Sequence, residues 1–424
     1  MTEAFLHYLW KHRLFDMNRL VADDGTKVEV VKSGEHNHGS GPDFFNAQLR
    51  LNGLAWAGNV EIHIRSSDWH RHRHHLDPVY DSCILHVVYE NDCPTLRMNG
   101  TKIPTIHIND RYPKYLMDNY LKLVSAHGWV SCDRRLPEMD AQTIHLQLEK
   151  MISERLKQRA GQVTISLKGL KNDWEECFYQ LLAKNFGFHD NALPFEMLAR
   201  SLPLKILKRE KGLEKAEALL FGQAGLLEKE INDPYHHQLH KLYSFYQSKY
   251  SVKPIPATSW KFMRLRPVNF PTIRIAQFAD LMTRSNELFS KIIEADSMDT
   301  LLELIDCTAS AFWNTHFHFN TPAESHVKKM GRSSLHSILI NTIFPVLIAW
   351  GEYSGDHKMF EKVVEWMRHL PAEENTFMRQ WQSVGVKARS AADSQALLQL
   401  KLNYCSEKKC LSCAIGNKLI NSLP

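Results

Sequence analysis

The dipeptide Asn52-Gly53 constrains this chain more than any other short feature, because it lies between two apolar runs in the stretch LRLNGLAW. Asn-Gly between alternating apolar residues is the strongest short-range signal for a β-hairpin, since both residues tolerate the positive φ angles of a two-residue turn. We therefore expect a strand that ends near residue 51 to pair with a strand that begins near residue 54.

Two acids lie on the strands of this predicted hairpin. Asp43 follows a proline just before the first strand, and Glu61 lies inside the second strand, in the run NVEIHIR. Side chains alternate along a strand, so Glu61, His63 and Arg65 share one face. Pairing of the strands then brings the Asp43 carboxylate close to that of Glu61.

Two convergent carboxylates provide the oxygen ligands that Mg²⁺ or Mn²⁺ requires. His63 could orient or deprotonate a water on such a cation, and Arg65 could stabilise charge on a transferring phosphoryl group. An acid on the solvent face of an antiparallel strand is also commonplace, and Pro-Asp is a common turn opener. A solvated face without a site therefore stays open as the alternative.

The order of the elements predicts an α+β protein. After an N-terminal helix, residues 20–110 contain short β-branched and aromatic runs separated by turn residues, which indicates strands. From about residue 140 onward, apolar residues recur at helical spacing. We predict an N-terminal mixed β-sheet domain over residues 1–125, followed by a large all-α region divided into helical domains over residues 126–255 and 256–424.

Composition is that of an ordinary soluble protein, with 44% hydrophobic and 23% charged residues and a formal charge of +5. The mild basic bias permits a polyanionic partner without requiring one. We see no secretion signal, and the most apolar run, residues 337–350, is too short to span a bilayer and contains Pro345. These features predict a buried core helix, a cytoplasmic location and no membrane partner.

The acids and their order resemble the active-site pattern of the PD-(D/E)XK nuclease superfamily. Pro42-Asp43 corresponds to the Pro-Asp that leads a hairpin, and Glu61-Ile62-His63 corresponds to the acid-X-lysine of the next strand, with a histidine in place of the lysine. The resemblance covers about the first 110 residues and implies a restriction-endonuclease-like fold and a metal-dependent nuclease. It also implies that Glu3, on the N-terminal helix, supports the catalytic acids.

Nearly the whole chain also resembles a family of bacterial proteins recorded only as a domain of unknown function. The segments that carry this resemblance are GPDFFNAQL, GNVEIHIRSSDW, YDSCILHVVYE, FGQAGLL and RPVNFPTIRIAQ. This second resemblance implies no established activity.

Three functions follow as expectations. The first is metal-dependent hydrolysis of phosphodiester bonds in DNA or RNA, with Mg²⁺ or Mn²⁺ held by Asp43 and Glu61. The second is a non-catalytic module that keeps the nuclease-like fold and binds nucleic acid, which the histidine at position 63 favours. The third is a structural scaffold for another protein.

A histidine-rich segment follows the second acid. DWHRHRHHLDPVYD interleaves His72 and His74 with Arg71 and Arg73. Imidazoles near aspartates could bind Zn²⁺, whereas the arginines suit a phosphate backbone. On the second interpretation, the two histidines and the two arginines of the loop contact the phosphates of the substrate. An exposed loop without a site role is the third possibility.

The end of the chain carries a dense group of thiols, Cys405, Cys410 and Cys413. A CxxC with a third cysteine five residues before it is a signal for zinc or an iron–sulfur cluster. Three ligands do not close a structural site, and the fourth could be Cys132, Cys307, His316 or His318. Free or packed thiols remain the alternative.

Overall fold

A computed structural model describes residues 1–37, 39–284 and 287–423. The chain forms two compact units, each made of more than one chain segment. The first contains Met1–Glu149, Gln382–Val386 and Leu398–Pro424, and the second contains Lys150–Trp381 and Lys387–Leu397. The three domains expected from the sequence stay a prediction, because compactness alone does not define a part that folds independently.

The first unit is built around a mixed sheet of seven strands. The strands are β1 Leu20–Val21, β2 Lys27–Lys32, β3 Glu35–His36, β4 Phe44–Leu51, β5 Leu54–Arg65, β6 Cys83–Glu90 and β7 Thr105–His107. Their order in the sheet is β1-β2-β4-β5-β6-β7, with β3 paired to β4. Pairs from β1 to β5 are antiparallel, whereas β5, β6 and β7 run parallel.

The β4–β5 hairpin forms at the predicted dipeptide. Leu51 pairs with Leu54, and the two residues between them have φ angles of 50° at Asn52 and 85° at Gly53. Both angles lie in the left-handed region that a tight hairpin turn requires. The mixed sheet with a large helical region after it confirms the coarse fold class.

Helices make up most of the rest of the chain. They are α1 Glu3–His12, α2 Asp68–Arg71, α3 Lys114–Ser125, α4 Ala141–Gly169, α5 Trp174–Phe186, α6 Ala192–Ser201, α7 Leu204–Arg209, α8 Leu213–Gln223, α9 Pro234–Tyr250, α10 Pro271–Arg284, α11 Leu288–Glu294, α12 Met298–Ile305, α13 Arg332–Ile338, α14 Phe344–Ser354, α15 Lys358–His369, α16 Thr376–Ser383, α17 Ala391–Leu400 and α18 Ala414–Asn421.

Helix α1 is fixed against the sheet, and this positions its polar side chains. The Thr2 side chain caps the helix by accepting a hydrogen bond from the Phe5 amide. The buried residues Phe5, Leu6 and Leu9 form its apolar stripe, and the helix packs against β5. The indole of Trp10 donates to the Ser33 carbonyl at 2.9 Å, which ties the helix to the loop after β2.

The described residues of the second unit include a pair of short strands besides the helices, which corrects the prediction of an all-α region. Residues of the run HFHFNTP form a small antiparallel pair, β8 His316–His318 and β9 Thr321–Pro322. Asn320 makes the turn with φ of 54°, and its amide donates to the Asp233 carboxylate at 2.7 Å. A single Asn that tolerates positive φ is a weak turn signal in sequence, so the hairpin was missed.

The apolar run near residue 340 forms a helix of the second unit. Among the described residues, Arg332–Ser354 is the one helix long and apolar enough, by length and composition, to cross a membrane. In the most apolar 18-residue stretch of this helix, 72% is buried inside the protein, as expected for a core helix. A π-turn, Leu339–Ile343, ends two residues before Pro345. Proline has no amide hydrogen to donate to the helical carbonyl four residues earlier, so a regular α-helix is disfavoured there.

We predict that Gly34→Ala destabilises the first unit more than Gly25→Ala does. Both glycines have positive φ, 91° and 85°, so both variants carry the same backbone strain. A Cβ at Gly34 would lie 2.6 Å from the Phe45 carbonyl oxygen, whereas a Cβ at Gly25 meets nothing within 4 Å. Urea unfolding should show an additional loss of about 1–3 kcal/mol for Gly34→Ala. Equal losses would contradict this packing argument.

Candidate functional site

The β4–β5 hairpin brings the two acids together through reciprocal hydrogen bonds. The Asp43 amide donates to Glu61 Oε2 at 3.0 Å, and the Ile62 amide donates to Asp43 Oδ2 at 3.0 Å. The Glu61 carboxylate is therefore held by the backbone of Asp43, and the Asp43 carboxylate is held by the backbone next to Glu61. This arrangement fixes both side chains without using Glu61 Oε1.

The two carboxylates differ in exposure. The side chain of Glu61 is 6% exposed, whereas that of Asp43 is 23% exposed and reaches solvent. Burial, and then the nearby charge of Asp43, raises the pKa of Glu61 to about 9. At neutral pH, and with no cation present, Glu61 therefore carries a proton.

Two histidines approach the free oxygen of Glu61, and a third histidine contacts one of them. His74 Nε2 lies 3.3 Å and His63 Nε2 lies 3.6 Å from Glu61 Oε1. His72 Nδ1 lies 3.2 Å from His63 Nε2. Among the described residues, these three histidines form the one group whose ligand atoms all lie within 4.8 Å of one another. The cluster is a candidate metal centre.

His63 is held from behind by a second buried histidine. His63 Nδ1 lies 2.9 Å from His86 Nε2, and His86 Nδ1 lies 2.9 Å from the Thr95 hydroxyl. When both imidazoles carry their proton on Nδ1, His63 donates to His86, His86 donates to Thr95, and the Nε2 lone pair of His63 faces the cluster. Outer hydrogen bonds of this kind orient histidines that bind metals.

Burial keeps this pair of histidines neutral. Burial, and then the neighbouring histidines, lower the pKa of His63 to about 2 and that of His86 to about 3. A neutral imidazole is the form that binds a metal. It is also a weak base at such a low pKa, so His63 suits the role of ligand better than that of proton acceptor.

Helix α1 contributes a histidine that the sequence argument missed. His7 Nε2 lies 3.2 Å from Asp43 Oδ2, and its Nδ1 lies 3.2 Å from His36 Nε2. Burial alone would lower the pKa of His7, but contact with Asp43 and the charge of Glu3 raise it overall. The signal was present in the sequence, because His7 follows Glu3 by four residues and so lies on the same helix face.

Glu3 lies close enough to the site for its charge to interact with Asp43 and His7. Burial, and then the negative charge of Asp43, raises the pKa of Glu3. The helix thus brings a third carboxyl group to the two acids of the hairpin.

The arginines expected near the site form ion pairs at the surface or remain exposed. Arg65 Nε lies 3.2 Å from Glu90, and an Arg71 amino group lies 2.9 Å from Asp68. Arg73 is exposed and has φ of 62°. The interleaved histidines instead turn inward: His74 contacts Glu61, and His72 contacts His63 while its side chain stays exposed. The loop therefore contributes imidazole to the acids more directly than it contributes positive charge.

The C-terminal thiols lie in the first unit, away from this cluster in sequence. Cys405 and Cys410 are half-buried, Cys413 is buried, and none of the three forms a disulfide. Of the four candidates for a fourth partner, Cys132 belongs to this unit, whereas Cys307, His316 and His318 belong to the second.

The fold and the site define a mixed α/β protein with a largely buried carboxylate–histidine cluster. The chain belongs to the family described as protein of unknown function (DUF2851), whose model matches residues 3–376. This match confirms the full-length resemblance seen in the sequence. No curated protein and no solved structure matches the chain.

The buried acid makes stability depend on pH. The pKa of Glu61 is about 9 in the folded protein and 4.5 ordinarily. The protonated carboxyl group therefore contributes fully to stability below pH 4.5, and this contribution is lost as the pH rises toward 9. We predict that, in chelator, Glu61→Gln is more stable than the wild type near pH 8.5 by at least about 1 kcal/mol, and that the difference vanishes near pH 5.

The matched control is Glu35→Gln, since the side chain of Glu35 is 74% exposed. Urea unfolding of this variant should follow the wild type across the same pH range. If the free energies of unfolding of the wild type and of Glu61→Gln change with pH in parallel, Glu61 is charged in the folded protein.

Proposed function

We propose that the protein is a metal-dependent nuclease that hydrolyses phosphodiester bonds at the Asp43–Glu61 site. The observation that carries the proposal is the convergence of these two carboxylates with His63, two residues beyond Glu61 on the same strand. The element order supports it: a helix, an antiparallel series of strands, a short helix and then a parallel strand. This is the order implied by the resemblance to the PD-(D/E)XK nucleases and their restriction-endonuclease-like fold.

The side chains present fit a divalent cation. Glu61 Oε1 is approached by two imidazole nitrogens at 3.3 and 3.6 Å, and Asp43 is partly open to solvent. Carboxylates suit both predicted ions, but imidazole ligands favour a transition metal over Mg²⁺. We therefore expect Mn²⁺ to support activity better than Mg²⁺. A bound cation would polarise the phosphate and lower the pKa of a water.

The residues of this chain would divide the remaining work. Asp43 and Glu61 would hold the cation, and His63, kept neutral by burial, would act as a ligand in the position of the motif lysine. His7 is better suited to proton transfer, because its pKa is raised above the ordinary value, whereas that of His63 is lowered to about 2. Glu3 would hold His7 in its charged form.

The second candidate is nucleic-acid binding without catalysis by the same unit. The observation in its favour is the burial of the two central residues, with Glu61 4% and His63 1% exposed. A substrate phosphate would then have to approach through Asp43 and the partly exposed His72 and His74. Arg71 and Arg73, both exposed, would supply contacts to the backbone in either case.

The test is cleavage of single- and double-stranded DNA and RNA in Mn²⁺ or Mg²⁺. We predict that Asp43→Asn and Glu61→Gln each lower the rate at least ~100-fold, because each removes a charged cation ligand. Glu35→Gln, which alters an exposed acid near the same hairpin, should retain full activity.

Two other outcomes would contradict the proposal of a nuclease. Cleavage that both variants retain would place the activity elsewhere or in a contaminant. Binding without cleavage, with a salt-dependent affinity that Asp43→Asn leaves unchanged, would instead identify a non-catalytic binding module.

The role of His7 has a separate signature in the pH dependence of the rate. If protonated His7 acts as an acid, activity falls as pH rises through its raised pKa. We predict that His7→Gln lowers kcat ~100-fold and removes this alkaline limb from the pH profile. His12→Gln, on the last turn of the same helix, is the control. An unchanged profile would leave His7 with a positioning role for Asp43.

A further inference from the structure

The C-terminal segment is attached to a loop near residue 130 of the same unit. The Lys401 ammonium donates to the Trp129 carbonyl at 2.5 Å and lies 5.0 Å from the centre of the Trp129 ring. The Lys408 ammonium donates to the Val124 carbonyl, and the Ala414 amide donates to the Gln147 side chain at 2.8 Å. These bonds hold both ends of the segment 401–414 in place.

Local turns in this segment present its three thiols. A π-turn, Lys401–Cys405, ends at the first cysteine, and a short 3-10 turn, Cys410–Ser412, begins at the second. Cys413 is the residue that precedes α18. On the facing loop, Cys132 directly precedes the 3-10 turn Asp133–Glu138, and Cys410 forms a side-chain hydrogen bond with Ser131 beside it.

The four thiols lie within electrostatic reach of one another. Cys405 interacts with Cys132, Cys413 and Cys410. Cys132 also interacts with Cys413 and Cys410, and these two interact with each other. Burial, and then the other thiols, raises the pKa of Cys132 to about 12 and that of Cys405 above its usual range. Four thiolates in one place need a cationic centre to offset their repulsion.

The thiols do not form the compact group that one bound zinc ion imposes. One zinc ion with Zn–S bonds of ~2.3 Å in a tetrahedron draws its sulfurs to within roughly 3.8 Å of one another. In the part of the chain that the structure describes, no three of these sulfurs lie within 4.8 Å of one another. An iron–sulfur cluster does not require three thiolates so close together, because each of its irons binds at most two of them.

The sequence spacing indicates the same centre. Cys405, Cys410 and Cys413 form C-x4-C-x2-C, which is the spacing of plant-type iron–sulfur ligands, with Cys132 as the distant fourth. Lys401 lowers the pKa of Cys405 and Lys408 lowers that of Cys410, in opposition to burial. These ammonium groups would also offset the negative charge of a cluster bound by four thiolates.

We propose that Cys132, Cys405, Cys410 and Cys413 bind an iron–sulfur cluster that fastens the C-terminal segment to the loop near residue 130. This centre is independent of the carboxylate–histidine site and of the proposed nuclease activity. It selects Cys132 from the four partners that the sequence left open.

The test is the metal content of the full chain purified without oxygen. We expect two or four irons per chain, an equal amount of acid-labile sulfide, and a broad visible absorption that dithionite bleaches by one-electron reduction. Cys132→Ser and Cys410→Ser should lose the iron. Cys93→Ser, which alters a free thiol of the same unit outside the group of four, should keep it.

The wild-type measurement stands even if a variant fails to fold. One zinc per chain without iron would overturn the cluster. No iron after anaerobic reconstitution with iron and sulfide would overturn it as well. Full iron content in a folded Cys132→Ser would overturn the assignment of the fourth ligand, and circular dichroism of each variant establishes that it is folded.

Discussion

The reciprocal hydrogen bonds that join Asp43 to the Glu61 carboxylate and to the Ile62 amide are the interaction on which the site depends. They exist because the Asn52-Gly53 turn and a bulge between Phe44 and Ala47 together set the register of the hairpin at the site. A further shift by one residue would turn every side chain of β5 to the opposite face, and Glu61 and His63 would then leave the cluster together. The geometry of the site is thus fixed by a backbone turn about ten residues away along the strand and by this bulge.

The cluster places an acid and several imidazoles where water is scarce, and burial decides which of them is charged. The desolvation penalty of two buried charges exceeds their Coulomb attraction unless their geometry and hydrogen bonds are good. In this protein the imidazoles of His63 and His86 stay neutral, and Glu61 keeps its proton. A divalent cation would replace that proton, so cation affinity and pH are expected to be coupled.

The sequence predicted those features of the structure that depend on short-range patterns. The hairpin, the shared face of Glu61 and His63, and the change from strands to helices all follow from short-range patterns. The sequence did not predict burial on both sides of β5, because helix α1, helix α2 and the turn Pro78–Ser82 pack on it from distant positions.

The same limit explains why Arg65 was expected at the site, why His7 was missed and why the fourth thiol ligand was left open. Arg65 lies on the same face of β5 as Glu61 by the alternation of side chains. Parallel pairing with β6, however, places Glu90 directly beside Arg65. His7 joins the site only because α1 packs on β5. Cys132 could not be chosen over Cys307 until the return of the chain end to the first unit was known. Each of these contacts is non-local, and no pattern within a short window encodes it.

The discontinuity of the first unit has a consequence for how the protein is made. Residues 1–149 emerge early, but the segment 398–424 that completes their unit follows roughly 250 residues later. At about 5–20 residues per second, the ribosome needs roughly 12–50 seconds to supply it. During that interval the sheet exists without the segment that contacts its 124–132 loop, and the second unit is completed only when Lys387–Leu397 have been made. The first unit is therefore completed only when the segment 398–424 docks, and a chain stalled before residue 398 would leave it incomplete.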